Sequence, residues 1–300
     1  METISFLPDW YTNTNYTGLY VARARGYFRD AGLTVTILPF PTDHRVDRVV
    51  AAGQADFGIC YQEQITMVRA VEQLPIVSVA AILQHNTTGF LALPGSGITR
   101  PRDLAGKRFA AADTATFRAV LGTIMAADGA GIATVRVMAL GVTDLLPALQ
   151  RGEADFAWVY AGWEGVEAAL RGLDATLIRI GDWPVVPDYY TPCLIASEAT
   201  IAARSETVRA FVSAVSRGYQ EATADPVAAA ELLIAADLTA PAALIRASQP
   251  VVSAWYQAEA PRWGEQTLAR WEAYAAFLRA QHLLIEPFAP ASAFTTAFLP

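Results

Sequence analysis

Cysteine and histidine are scarce in this sequence of 300 residues, which holds two of the first and three of the second. Cys60 and Cys193 have neither metal-ligand nor redox spacing and read as small buried thiols, while His44, His85 and His282 are scattered. Also missing are a Gly-x-Ser-x-Gly elbow, a Walker loop, a dinucleotide fingerprint behind a strand and zinc-type histidine spacing. No catalytic residue, metal or cofactor is therefore expected. No basic run or stripe occurs, and 29 acidic against 22 basic residues give a formal charge of −7, so nucleic acid is not an expected partner. The longest apolar runs, such as residues 76–83, fall far short of the roughly 18–20 residues a membrane-spanning helix requires. A signal peptide is not visible either: Met1 runs almost directly into Ile4-Ser5-Phe6. The protein is expected to be either cytoplasmic or exported with its signal already removed.

What the chain does have is apolar material, 53% of residues against 17% charged, enough for a substantial core in one large or two smaller domains. It also has a repeat. Gly53-Gln54-Ala55-Asp56-Phe57-Gly58-Ile59-Cys60-Tyr61 returns as Gly152-Glu153-Ala154-Asp155-Phe156-Ala157-Trp158-Val159-Tyr160. Each copy follows a short helix with an apolar stripe and ends a strand on an aromatic hydroxyl. Repetition at this scale predicts two α/β lobes on one plan, facing each other across a cleft suited to a small molecule.

Strand and helix signals alternate through the first two-thirds. Residues 3–7, 33–37, 55–61 and 76–83 read as strands, and 17–25, 42–53 and 62–71 as helices. The second lobe repeats this: strands at 89–93, 107–112, around Val135, Val137 and Ala139, and at 154–160. Its helices follow Thr114, with Phe117 on the buried side, then Thr143 as a cap, then Glu164. Helical connections imply crossovers and a mostly parallel sheet in each lobe. After Thr191-Pro192 a strand at 193–196 leads into helices at 204–222, 226–236 and 262–280. The expected arrangement is discontinuous: lobe one from residues 1–88 and 193–300, lobe two from 89–192, joined by a hinge of two crossing strands near 85–90 and 189–193.

Candidate ligand-binding residues cluster at strand ends. Asp9, Trp10, Asn13, Asn15 and Tyr16 fill the loop between the first strand and first helix, at the edge where open α/β sheets hold ligands. Trp10 offers a stacking surface; the asparagines offer donors and acceptors, or else cap the helix. Tyr61 and Glu63 follow the first repeated strand; Tyr160, Trp163 and Glu164 follow the second. The two glutamates either serve helix starts, where the dipole favours negative charge, or accept hydrogen bonds from a ligand's N–H groups. Tyr189 and Tyr190 lie at the expected return crossing, one facing the cleft floor and the other the lobe interior. His85 approaches the first crossing, and Thr114 opens a helix whose free N–H groups cap or bind an anion. Aromatic rings and amides with few bases look like recognition, not turnover.

Several blocks resemble a known family. Leu7-Pro8-Asp9-Trp10, residues 13–22, Gly26-Tyr27-Phe28, Tyr61-Gln62-Glu63-Gln64, Gly95-Ser96-Gly97-Ile98, Trp158-Val159-Tyr160 with Trp163-Glu164-Gly165, and Asp188-Tyr189-Tyr190-Thr191-Pro192 are similar to thiamine-pyrimidine-precursor (formylaminopyrimidine) binding proteins. The resemblance implies a two-lobed periplasmic-binding-protein-like fold of type II, the solute-binding component of an ABC importer. It implies an extracytoplasmic location, periplasmic or membrane-anchored, a membrane permease as partner, and a monomer. The implied ligand is a planar nitrogen heterocycle, an aminopyrimidine first and a flavin such as riboflavin second. On this sequence Trp10 and Tyr160 would stack on the ring; Asn13, Asn15 and Glu164 would hydrogen-bond its nitrogens; Tyr16, Tyr61 and Trp163 would close the walls. Fungal pyrimidine synthases share the fold but consume their own histidine and bound pyridoxal phosphate. Here Tyr16 stands at the matching loop position, and Thr191-Pro192-Cys193-Leu194 has one cysteine where the synthases have a cysteine-rich stretch, so synthase chemistry is not expected.

Overall fold

A computed structural model describes residues 1–41, 45–138, 145–285 and 287–300. It divides into two compact units: Met1–His85 with Tyr189–Ala275 and Leu284–Pro300, and Asn86–Asp188 with Ala276–Leu283.

The first unit is built on β1 (Glu2–Leu7), β2 (Leu33–Ile37), β3 (Phe57–Cys60), β4 (Ile76–Ala81) and a late strand, β10 (Cys193–Ser197). Their order in the sheet is β2-β1-β3-β10-β4; β1 runs parallel to β2 and β3, and β10 runs antiparallel to β3 and β4. Helices α1 (Thr17–Ala24), α2 (Tyr27–Asp30), α3 (Val46–Ala51) and α4 (Gln62–Val71) join the early strands. The second unit has β5 (Thr88–Ala92), β6 (Arg108–Ala110), β7 (Arg136–Met138), β8 (Phe156–Tyr160) and β9 (Thr176–Arg179), with α5 (Ala115–Ala127), α6 (Leu145–Gln150) and α7 (Val166–Leu170). Its order is β7-β6-β8-β5-β9, again with one strand, β5, antiparallel to its neighbours.

The repeated motif has one physical meaning in both sheets. Gly53 and Gly152 end α3 and α6 at φ 70° and 69°, the left-handed conformation in which a Cβ is strained. Each aspartate then ties its strand to the parallel neighbour. Asp56 donates its N–H to the Ser5 carbonyl, and its Oδ2 accepts from the Ser5 N–H and hydroxyl at 2.8 Å each. Asp155 repeats this on Arg108, with N–H to carbonyl at 2.9 Å and Oδ2 accepting the Arg108 N–H at 2.7 Å. The phenylalanine that follows enters each core: Phe57 stacks on Phe211 and Phe156 on Phe109.

The rest of the first unit is helical: α8 (Glu198–Ala203), α9 (Ser205–Ala224), α10 (Pro226–Ala236), α11 (Ala242–Gln257) and the part of α12 (Leu268–Ala280) up to Ala275. Buried Val208, Phe211, Val212, Val215, Tyr219 and Ala222 recur at helical spacing along α9, each large side chain contributing roughly 1.5–3 kcal/mol on burial. This helix crosses α1 where both lack side chains. A Cβ on Gly218 would lie 1.9 Å from the Gly18 carbonyl oxygen, and one on Gly18 would lie 2.2 Å from the Tyr219 ring.

Several expectations change. The strand expected over 76–83 ends at Ala81, and β9 and α11 carried no sequence prediction. Pro250 lies within α11, where it removes one ladder donor without ending the helix. The helix expected over 262–280 begins only at Leu268: Trp263 is buried, and Gly264, at φ 87°, bridges to Ala81 instead. The expected helix after Tyr160 opens as a π-helical turn over Ala161–Gly165. The helix start near Thr42, the strand position Ala139 and the cap at Thr143 lie outside the described residues.

Candidate ligand-binding site

In the first unit β1, β2 and β3 are parallel, so their carboxyl ends share one edge, and the predicted residues gather there. After β1 the chain turns through Asp9, Trp10 and Tyr11; after β2 comes Phe40; after β3 comes Tyr61. Asp9 is the centre: its Oδ1 accepts the Tyr16 hydroxyl at 2.6 Å, and its Oδ2 accepts the Tyr61 hydroxyl. Burial, then the neighbouring Asp9 carboxylate, pushes the Tyr16 hydroxyl well above the usual tyrosine range, so it stays a proton donor. Beside this group, the Trp10 and Phe40 rings lie 6.1 Å apart, and Tyr11 sits edge-on to both at 5.8 and 4.6 Å. Phe40 is the member sequence reasoning missed; an aromatic just past the end of a strand was its available signal.

The loop carrying these groups is held from behind. Asn13 is buried and caps the short turn Thr14–Tyr16: its Oδ1 accepts the Asn15 N–H at 2.8 Å and its Nδ2 donates to the Tyr11 carbonyl at 2.9 Å. Of the two readings of Asn13, capping is therefore what the geometry supports. Asn15 differs: half-buried, its side-chain amide has no partner among the described residues, while its carbonyl accepts the Tyr219 hydroxyl at 2.5 Å. From α11, Ser248 bonds Thr14 at 2.7 Å, Gln249 accepts the Thr17 hydroxyl at 2.6 Å and donates to Ser253 and Tyr256, and the Tyr256 hydroxyl reaches the Thr14 carbonyl. Each member is buried, and leaving one unsatisfied would cost about 1–3 kcal/mol.

Glu63 occupies the first turn of α4, two residues beyond Tyr61. It is 9% exposed, and its Oε2 has no hydrogen-bond partner. Burial raises the carboxyl to about 8, against the opposing pull of its own backbone N–H. Tyr190 is taken up structurally. At 1% exposure it bonds Gln62 through its N–H, accepts the Thr267 N–H at its hydroxyl and stacks beneath the Arg270 guanidinium at 4.6 Å. Tyr189, equally buried, packs on Tyr274, so neither tyrosine presents an open face, contrary to the expectation that one of them would. His85 pairs with Glu259 at 2.8 Å.

In the second unit, β6 and β8 are parallel and bring two predicted groups to one edge. Thr114 is exposed and accepts the Phe117 N–H at 3.1 Å, an ordinary N-cap. Phe117 is half-buried rather than in the core and stacks on Trp158 at 4.1 Å, nearly coplanar at 5°. Beyond β8, half-buried Tyr160 enters the π-helical turn with Trp163 and Glu164, both half-buried. Glu164 folds back so that Oε2 accepts the Tyr160 N–H at 2.9 Å. Such turns recur at functional sites because they re-aim side chains. An apolar recess of about 260 Å³, walled by Leu91, Ala168 and Leu177, lies against this turn. Among the described residues no group of three or more His, Cys, Asp or Glu is placed to hold a metal, and no helix is long and apolar enough to cross a membrane.

Two α/β units with matching five-stranded mixed sheets, and aromatic and polar groups at their carboxyl edges, define the fold of periplasmic binding proteins. Within it the chain belongs to the NMT1/THI5-like family, whose model matches residues 13–229. A formylaminopyrimidine-binding protein of Halalkalibacterium halodurans is 28% identical over 302 residues, covering 99% of this chain and 90% of that protein. A 4-amino-5-hydroxymethyl-2-methylpyrimidine phosphate synthase of Legionella pneumophila is 26% identical, covering 77% of this chain and 72% of its own. Among solved structures, the alkanesulfonate-binding protein of Xanthomonas axonopodis bound to MOPS superposes with a TM-score of 0.75 over 98% of each chain at 16% identity.

Proposed function

We propose that this protein is the solute-binding component of an ABC importer and captures a planar nitrogen heterocycle, an aminopyrimidine related to the thiamine pyrimidine. One observation carries the reading: at the carboxyl edge of the first sheet, an aspartate braced by two tyrosine hydroxyls stands beside a Trp–Tyr–Phe group. A flat ring stacks on aromatics, at roughly 1–3 kcal/mol per face, and its amino and ring nitrogens need acceptors and donors nearby. Asp9 and the unengaged amide of Asn15 provide them. Micromolar binding requires about −8 kcal/mol, which stacking and a few desolvated hydrogen bonds reach after the cost of association. In the second unit Tyr160, Trp163 and Glu164 are the matching candidates. The name of the Halalkalibacterium relative supports the same ligand class.

The reading is non-catalytic. Tyr16, which the family resemblance sets at the synthases' histidine position, is committed to Asp9 and buried. Lys107, the lysine a pyridoxal adduct would use, donates to the Ser96 carbonyl at 2.5 Å. The synthase relatives make turnover the rival outcome. With importer function come an extracytoplasmic location, a membrane permease as partner, and a monomer. A thermal-shift screen against aminopyrimidines, thiamine, riboflavin and pyridoxal forms tests the reading, since a ligand stabilises by RT ln(1 + [L]/Kd). An upward shift with aminopyrimidines is expected. A shift with riboflavin alone would redirect the assignment to flavins, and conversion of any ligand would make the protein an enzyme.

A further inference from the structure

Glu63 is a buried carboxyl without a visible reason. Its Oε2 is buried and has no hydrogen-bond partner, and 9% of the residue reaches the surface. The ionisable groups facing it are Tyr274 on α12, Cys60 on β3 and Cys193 on β10, each of which its charge would push upward. Burial is the dominant influence on Glu63 itself, and no cation among the described residues offsets it. An ionised carboxylate in such a place is strongly disfavoured. A neutral carboxylic acid is a different object: a flat pair of one donor and one acceptor. That pair complements the edge of an aminopyrimidine, where a ring nitrogen accepts and the adjacent amino group donates. Its place suits the role, in the first turn of α4 two residues beyond Tyr61, whose hydroxyl bonds Asp9 at the carboxyl edge of the sheet.

We propose that Glu63, as a neutral acid, is a specificity-determining residue that donates its O–H to the ring nitrogen and accepts the amino N–H of the bound heterocycle. The inference rests on the aminopyrimidine reading above and sharpens it, because a carboxylate could take only the amino half of that edge. Ionisation near pH 8 would then remove the donor and oppose the ring nitrogen's lone pair.

The test is calorimetric titration of the whole chain with 4-amino-5-hydroxymethyl-2-methylpyrimidine between pH 7.5 and 9.5, for the parent, Glu63→Gln and Glu63→Ala. Parent affinity is expected to fall about tenfold or more across that range. Glu63→Gln, which keeps a donor and an acceptor but cannot ionise, is expected to stay within about threefold of the parent at pH 7.5 and to be flat with pH. Glu63→Ala is expected to lose about tenfold at pH 7.5. As a second readout, a pyrimidine lacking the amino group should show a smaller difference between the parent and Glu63→Ala than the aminopyrimidine does, because only the bond to the ring nitrogen remains. A pH-independent parent, or a Glu63→Ala variant of unchanged affinity, overturns this inference alone. Absence of aminopyrimidine binding by the parent at every pH removes the functional reading and the inference with it.

Discussion

Asp56 and Asp155 hold the same place in two sheets, yet the strands they anchor end in different chemistry. In the first unit Asp56 also meets Arg204, which follows α8, and the strand ends on a tyrosine that bonds Asp9. In the second, Asp155 pairs with Arg108 of the adjacent strand, and its strand ends in a π-helical turn where Glu164 folds back on Tyr160. The glutamates that follow the two copies therefore differ: Glu63 keeps a buried oxygen without a hydrogen bond, whereas Glu164 caps a backbone N–H. The repeat encodes scaffold, the helix stop, the aspartate latch and the core phenylalanine. The proposed binding groups are the tyrosines that close each copy and the residues just beyond them.

The units also differ in what holds them together, and the largest expected effect exploits that. Gly218→Ala should destabilise by about 3 kcal/mol or more, because its Cβ meets backbone across the α1–α9 crossing. Gly122→Ala on α5, where the added carbon meets Ile132 at an ordinary 3.5 Å, should be neutral or stabilising by up to about 1 kcal/mol. Urea unfolding of both variants checks the contrast, and equal effects would break it. Next in size, Gln249→Leu should cost about 1–3 kcal/mol by removing the buried hydrogen bonds Gln249 makes with Thr17, Ser253 and Tyr256, and should also weaken ligand binding because α11 braces the Asp9–Tyr16 loop. Stability lost with affinity intact would separate α11 from the site.

That brace was the least legible part of the chain. Strand alternation, the repeat and the caps were readable because each is a local pattern: 33–37 and 62–71 appear as read, and Thr114 caps as its sequence suggests. Helix α11 drew no prediction because Pro250 and a polar buried face, Ser248, Gln249 and Ser253, break the apolar stripe; Ser248 and Gln249 bond residues more than 200 positions away. Asp9, Tyr16 and Tyr61 were each named from position, but not that one carboxylate would join both hydroxyls, since that depends on the β1–β3 pairing. The tyrosines at 189 and 190 look like ligand groups in sequence and are buried because the segment packs under α12.

The units should also part company with pH. Glu63 has a folded-state value of about 8, above its unfolded value near 4.5, so the folded state holds the extra proton and stability falls as pH rises from about 4.5 to 8, by at most about 1.4 kcal/mol per unit. Asp128 in the second unit is held down to about 2, first by its hydrogen bond from Arg100, so its contribution is present above about 4 and is lost as pH falls towards 2. Thermal melts from pH 3 to 8.5 should show Glu63→Gln removing the alkaline loss and Asp128→Asn the acid loss. Variants that move the wrong limb would refute the assignment.

The smallest effects concern the two aromatic edges. Trp10→Ala and Glu164→Ala should each weaken aminopyrimidine binding at least about tenfold, roughly 1.4 kcal/mol. The most direct measurement is calorimetric titration of the parent and Trp10→Ala with 4-amino-5-hydroxymethyl-2-methylpyrimidine, followed by mass spectrometry of the recovered ligand. Micromolar or tighter binding that Trp10→Ala weakens, with the ligand returned unchanged, is the expected result. Affinity indifferent to Trp10, or a ligand chemically altered on recovery, would contradict a binding protein that grips a flat heterocycle through this edge.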